Sequence, residues 1–137
     1  MRNVLGFRDA DHQESNPNAG RFAVVALSCS LDGQQEDVDV APGTRAGDLY
    51  GRGSVVEKFV CNYGINPEYA QMLEVHGLVI SGRSADSEVR IVELPTHPFF
   101  LATLFVPQMN STPENPHPLL EAFVSAARRH AAETFLS

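Results

Sequence analysis

Apolar positions along the chain fall into short blocks divided by turn residues, and the spacing inside each block predicts its element. Met1–Gly6 suits the tail of a helix, and Phe7–Gly20, rich in Asp, Asn and Gly, predicts a loop. Phe22–Leu31 is dense in apolar and β-branched residues and predicts a central strand; Asp32-Gly33 is a turn signal. Gln34–Val40 alternates well enough to be the hairpin partner of that strand, and Val55–Tyr63 predicts a further one. Asn66 followed by Pro67 predicts a capped short helix carrying Tyr69, Met72, Leu73 and Val75, stopped at Gly77. Leu78–Arg83 and Val89–Leu94 flank Ala85-Asp86-Ser87 as a hairpin. Phe100–Phe105 is apolar throughout and predicts a strand in the sheet interior. After it, Leu120, Phe123, Val124, Ala127 and Ala131 recur at helical spacing and predict one core-facing helix surface. Strands bracketed by helices imply an α/β domain with a mixed sheet under helical cover.

Composition narrows the class without naming a function. At 137 residues, 43% hydrophobic and 20% charged, the chain fits one globular domain, 1–137, with no internal repeat or convincing linker. A net charge of -7 argues against nucleic acid or an anionic membrane as the main partner, since both call for a basic footprint. Two cysteines, Cys29 and Cys61, form no framework or CxxC, and the N-terminus lacks a signal-peptide core, so a cytoplasmic setting is expected. His12, His76 and His130 show no ligand spacing; no metal or cofactor is expected.

Four ordered blocks carry a family resemblance. Glu93–Phe123 keeps His97, Pro98, Phe99, Phe100, Ala102, Phe105, Pro107, Ser111, Pro113, His117, Pro118, Leu119 and Phe123 of the pattern H-P-[WF]-F-x-A-x-x-F-H-P-E, then S-x-P and H-P-L-[FL]-x-x-F. Val38–Tyr69 matches at Tyr50, Val56, Glu57, Tyr63, Asn66 and Tyr69 a segment ending E-R-H-R-H-R-Y-x-V-N-x-x-Y. Gly77–Glu93 follows G-L-x-x-[SA]-G-x-S-x-D-x-x-V-x-I-x-E, and the start resembles A-R-N-V-x-x-x-x-x-A-N-S-T-E. Together they resemble the C-terminal half of a class I glutamine amidotransferase domain of the CTP synthase type. The resemblance implies a flavodoxin-like mixed sheet with helices whose N-terminal strands are absent from this sequence.

In that family a Cys on a strand-to-helix elbow attacks the glutamine amide, a His moves the proton and a Glu orients the His. Here the catalytic His position is Val106 and its Glu is Gln108. Valine accepts no proton, and Gln108 has no imidazole to orient. Asn62 replaces an Arg that helps to hold glutamine, and the elbow Cys falls ahead of the matched region. Glu14 stands where the family's Glu holds the substrate amine; in a polar loop it also reads as an ordinary solvated carboxylate. Cys61, beside Asn62, is either a pocket-lining or reactive thiol or a packing residue, and Cys29, in an apolar stretch, reads as an inert small hydrophobe. His97 and His117 each precede Pro at a turn, where packing and helix capping account for them.

The resemblance implies a domain fragment that does not hydrolyse glutamine alone and serves binding or regulation, with catalytic residues absent and Glu14, Asn62 and Cys61 as candidate substrate-binding positions. Its partners would be a small amino-acid-like ligand, or a protein partner or missing N-terminal segment that completes the sheet. The alternatives are an enzyme with an upstream Cys or selenocysteine nucleophile (some relatives in this branch are described as selenoproteins) doing altered acyl or redox chemistry, and a divergent piece of CTP synthase itself, in pyrimidine nucleotide biosynthesis. No G-x-x-x-x-G-K-[ST] supports the last. Met1 is then expected to be internal to a longer reading frame, or the chain to pair with a separate partner that supplies the absent strands. Without those strands, apolar edges at Phe22–Leu31 and Phe100–Phe105 are expected.

Overall fold

Two sheets divide the strands of this chain. The computed structural model describes residues 1–135. In chain order the elements are α1 (Arg2–Leu5), β1 (Ala10–His12), β2 (Arg21–Ala26), β3 (Gln35–Val40), α2 (Arg45–Tyr50), β4 (Ser54–Lys58), β5 (Tyr63–Ile65), α3 (Pro67–Val75), β6 (Val79–Arg83), β7 (Val89–Glu93), β8 (Leu101–Thr103), a 3-10 turn (Pro107–Asn110) and α4 (Pro118–Phe135). The smaller sheet runs β1-β2-β5 and is mixed, with β1 parallel and β5 antiparallel to β2. The larger runs β4-β3-β6-β7-β8 and is antiparallel throughout.

Period-two patterning explains the first strands of the larger sheet. β3 reads Gln-Glu-Asp-Val-Asp-Val, which turns Val38 and Val40 inward and leaves Asp37 and Asp39 in water. β4 buries Val55 and Glu57 in the same way. β7 is buried at all five positions because both of its faces are covered. On one face Ile91 joins Val38, Phe59, Phe105 and Leu119. On the other, Val89 and Val92 join Ile80 and are packed by Ile65, Ala70 and Leu78. Each such side chain contributes about 1.5–3 kcal/mol by leaving water. Gly82 belongs to this packing: a Cβ there would stand 2.5 Å from Ile91 Cγ1, so only glycine lets the neighbouring strand close in.

Helix ends follow their sequence signals. Thr44 Oγ1 accepts the Gly47 N–H at 3.0 Å and opens α2, and Gly51, at φ 65, closes it. The buried carboxylate of Glu93 accepts from the amides of Arg45 (2.8 Å) and Ala46 (3.1 Å), so β7 supplies a second cap to that helix. Asn66 Oδ1 accepts the Glu68 N–H at 3.0 Å with Pro67 at the first helical position, and α3 stops before Gly77, as expected.

Several expectations are overturned. The Phe7–Gly20 loop contains β1, whose pairing to β2 no periodicity announced. β2 ends at Ala26 rather than Leu31; it is central only within the small sheet, and its side chains are half-buried or exposed. β3 pairs with β4 and β6, not with β2. Val55–Tyr63 is not one strand: β4 ends at Lys58, and Tyr63 starts β5 in the other sheet. Phe100–Phe105 is not interior. Only Leu101–Thr103 is strand, and it forms the edge of the larger sheet. The core-facing surface of α4 is also not the expected one. Leu119 and Ala126 are buried, while Phe123 and Val124 are 55% and 46% exposed and Ala127 and Ala131 are exposed. α4 lies against α2 and the 3-10 turn, where Leu119 and Ala126 fill the contact, so its bulkier apolar stripe is left outward.

Candidate functional site

The segment Phe59–Asn62, which carries the chain from one sheet to the other, is bound along its length to the stretch after β2. Leu27 N–H donates to Asn62 O at 2.9 Å, Leu31 N–H to Cys61 O at 3.2 Å, and Ser30 Oγ to Asn62 Oδ1 at 2.6 Å. The Cys61 thiol donates to Tyr63 O at 3.1 Å. Glu14 is exposed; its amide donates to His12 Nδ1 at 3.2 Å, and the His12 ring lies 4.9 Å from the Tyr63 ring. Ala26 pairs with Tyr63 and His12 with Val24, so β2 brings Glu14, Cys61 and Asn62 to one end of the small sheet. Bonded to Ser30, the Asn62 amide is a neutral polar group where the resemblance places a cation. It can hold an acceptor or a donor, but not by charge.

Val106 and Gln108 belong to a different local unit. Val106 N–H donates to Lys58 O at 3.0 Å, which hangs the 3-10 turn from the end of β4. Gln108 sits in that turn with its side chain exposed. This corner offers an isopropyl group and a primary amide. Neither accepts a proton at neutral pH, so the pair has no general-base chemistry.

His97 Nδ1 accepts from Phe99 N–H at 3.2 Å and pins the turn before β8; no helix starts there, so it holds a turn rather than capping a helix. Cys29 lies outside any strand and is exposed, which corrects its reading as a buried hydrophobe; the strand ended before reaching it. Among the described residues no group of three or more His, Cys, Asp and Glu could hold a metal ion, and no helix is long and apolar enough to cross a membrane.

A buried polar network lies elsewhere, and sequence reading did not assemble it. Glu57, 2% exposed, accepts from Tyr50 Oη at 2.6 Å and His117 Nε2 at 2.9 Å on one oxygen, and from Asn110 Nδ2 at 2.8 Å on the other. His117 Nδ1 accepts the Leu119 N–H at 3.3 Å, which leaves the ring proton on Nε2, facing the carboxylate. Burial pushes the Glu57 carboxyl up, but the bonds from His117, Tyr50 and Asn110 outweigh it and hold the carboxyl below its usual value. Burial, with the same bond and charge, drives the Tyr50 phenol far above its ordinary range. Arg52, Lys58 and Asn115 join this network in walling a polar cavity of about 550 Å³. Glu57 and His117 each belong to a matched motif, but 60 residues separate them, and neither motif names the other as its partner.

The chain is 36% identical to the CTP synthase of Nitratidesulfovibrio vulgaris over 95% of its own length and 28% of that protein's. It is 38% identical to the Archaeoglobus fulgidus CTP synthase over 96% of this chain and 27% of the other. Among solved structures, the Trypanosoma brucei CTP synthase glutaminase domain, determined with bound acivicin, superposes with a TM-score of 0.84 at 30% identity, covering 93% of this chain and 54% of that one. The fold is that of a class I glutamine amidotransferase domain of the CTP synthase type. A GMP synthase component from Thermoplasma acidophilum, putative by its own description, gives a TM-score of 0.60 at 17% identity and adds support for the fold alone. No family model matches the chain. This chain spans about a quarter of the length of the CTP synthases it matches and about half of the solved CTP-synthase-type domain.

Proposed function

We propose that the chain is the C-terminal part of a CTP-synthase-type amidotransferase-like domain that binds rather than hydrolyses. The observation that carries this reading is the corner at Val106. Its backbone is held by Lys58 O, as a settled structural turn, yet its side chain cannot take the proton that glutamine hydrolysis requires. Gln108 beside it has lost the carboxylate that would orient a histidine. Glu14 keeps a negative charge for a ligand's amine, and Asn62 and Cys61 lie at the same end of the small sheet, so the site suits a small amino-acid-like molecule held more weakly than by an Arg. Cys61 is no substitute nucleophile on this reading, since its thiol is engaged with Tyr63 O. A protein segment that supplies the rest of the domain is the second expected partner.

The test is to incubate the purified chain with glutamine and measure glutamate and ammonia. No release above blank is expected. Release above blank from the wild-type chain would overturn the reading. Val106→His with Gln108→Glu is also expected to stay inactive, because the elbow nucleophile is not among these residues.

A further inference from the structure

The polar cavity of about 550 Å³ has Glu57 in its wall, but that carboxylate has little left to offer a ligand. Its two oxygens already take the Tyr50 hydroxyl, the His117 ring N–H and the Asn110 amide, and the residue is 2% exposed. The other charges at the wall are positive. Arg52 follows Gly51, where α2 closes, and its charge reaches Tyr50, opposing the burial and the Glu57 contacts that push the phenol up. Lys58, half-buried at the end of β4, gives Nζ to Met109 O at 3.2 Å, a neutral partner.

Neither cation is matched by a carboxylate. Asp and Glu outnumber Lys and Arg by 17 to 10 in this chain, yet among the described residues no acidic side chain pairs with Arg52 or Lys58. Glu57 is not their counterion by contact, since three other donors hold it. Gln35, opposite Lys58 in the β3–β4 ladder, and Asn115 add neutral side-chain amides to the same wall. Unpaired cations beside neutral hydrogen-bond donors select an oxyanion, and a guanidinium suits the two-pronged grip of phosphate. The volume falls in the range of about 300–1,000 Å³ usual for small-molecule sites, more than a bare phosphate fills. Val55, Pro116 and Pro118 supply apolar wall for an organic body.

We propose that this cavity binds a small phosphorylated metabolite, with Arg52 and Lys58 on the phosphate and its organic body toward Val55, Pro116 and Pro118. The Glu57 network then serves as the rigid back wall: it fixes Tyr50 and His117 without spending either cation. The site shares no residue with Glu14, Cys61, Asn62, Val106 or Gln108, so it stands apart from the glutamine reading.

Isothermal titration of the full chain at low salt tests this, with ribose 5-phosphate, inorganic phosphate and ribose as probes. Ribose 5-phosphate should bind 1:1, more tightly than inorganic phosphate, and its affinity should fall as salt is raised. Arg52→Gln and Lys58→Gln should each weaken it about tenfold or more while thermal melts stay unchanged. Arg128→Gln, at an exposed cation on α4 outside the cavity wall, should leave it unaltered. Absence of ribose 5-phosphate binding at millimolar concentration overturns the proposal. So does equal binding of ribose, or an equal loss in Arg128→Gln, which would trace the affinity to overall charge. Inorganic phosphate binding as tightly as ribose 5-phosphate would mean an adventitious ion only, and overturns it too.

Discussion

The Glu57 network and the Glu14–Asn62 end of the small sheet both occupy motif-matched positions, but they have fared differently. In the first, Tyr50, Glu57 and His117 from matched segments meet Asn110, and all share the Glu57 carboxylate in the wall of a polar cavity. In the second, Glu14 is exposed and Asn62 bonds to Ser30 and Leu27, while the corner at Val106 and Gln108 is a separate unit hung from the end of β4. A buried polar network fails as a unit when one member goes, because the others are left unpaired at low dielectric. An exposed corner carries no such penalty, so its chemistry can be lost while the fold persists. Retention of a motif therefore says more about packing here than about catalysis.

The strongest test of that contrast is on the consolidated side. Phe59→Ala should cost about 3–5 kcal/mol, since Phe59 is fully buried against Phe105 and Leu119, and Ile91→Ala about 2–5 kcal/mol. Chemical denaturation with an unchanged slope checks both. Glu57→Ala should follow at roughly 3 kcal/mol, because His117, Tyr50 and Asn110 would lose their common acceptor. A cost near zero would mean that the network contributes nothing beyond its packing.

Acid titration sharpens the same point. The folded Glu57 carboxyl lies below its unfolded value of about 4.3, so its contribution is present in full above that pH and is lost as pH falls through the lowered folded value. Wild type should weaken below about pH 4. Glu57→Gln should start less stable and show a shallower acid loss, as read by thermal melts from pH 3 to 7.

Smaller effects are expected where single turns are held. Asn66→Ala removes the cap of α3 and should cost about 1 kcal/mol. At the open site, Gln108→Ala should change stability by no more than about 0.5 kcal/mol, since the side chain is exposed. A large destabilisation at Gln108 would erase the contrast between the two regions.

Much of the fold was legible in local signals. The β6–β7 hairpin, the Asn66-Pro67 start of α3 and the single long helix after Pro118 all follow from turn residues and periodicity within one segment. That the corner carries Val106 and Gln108, neither of which accepts a proton at neutral pH, was equally legible, since those residues are what they are in any fold. The tertiary structure alone decided which neighbour each segment received. It split Val55–Tyr63 between two sheets, because Phe59 turns into the core while the chain crosses over and Tyr63 pairs with Ala26. It placed β8 at an edge and turned Phe123 and Val124 outward, although their spacing is what a buried helix face would show. It also brought Glu57 to His117 across 60 residues. Periodicity reports that a side chain has an apolar or polar face to present; which surface meets it depends on long-range packing that no local window contains.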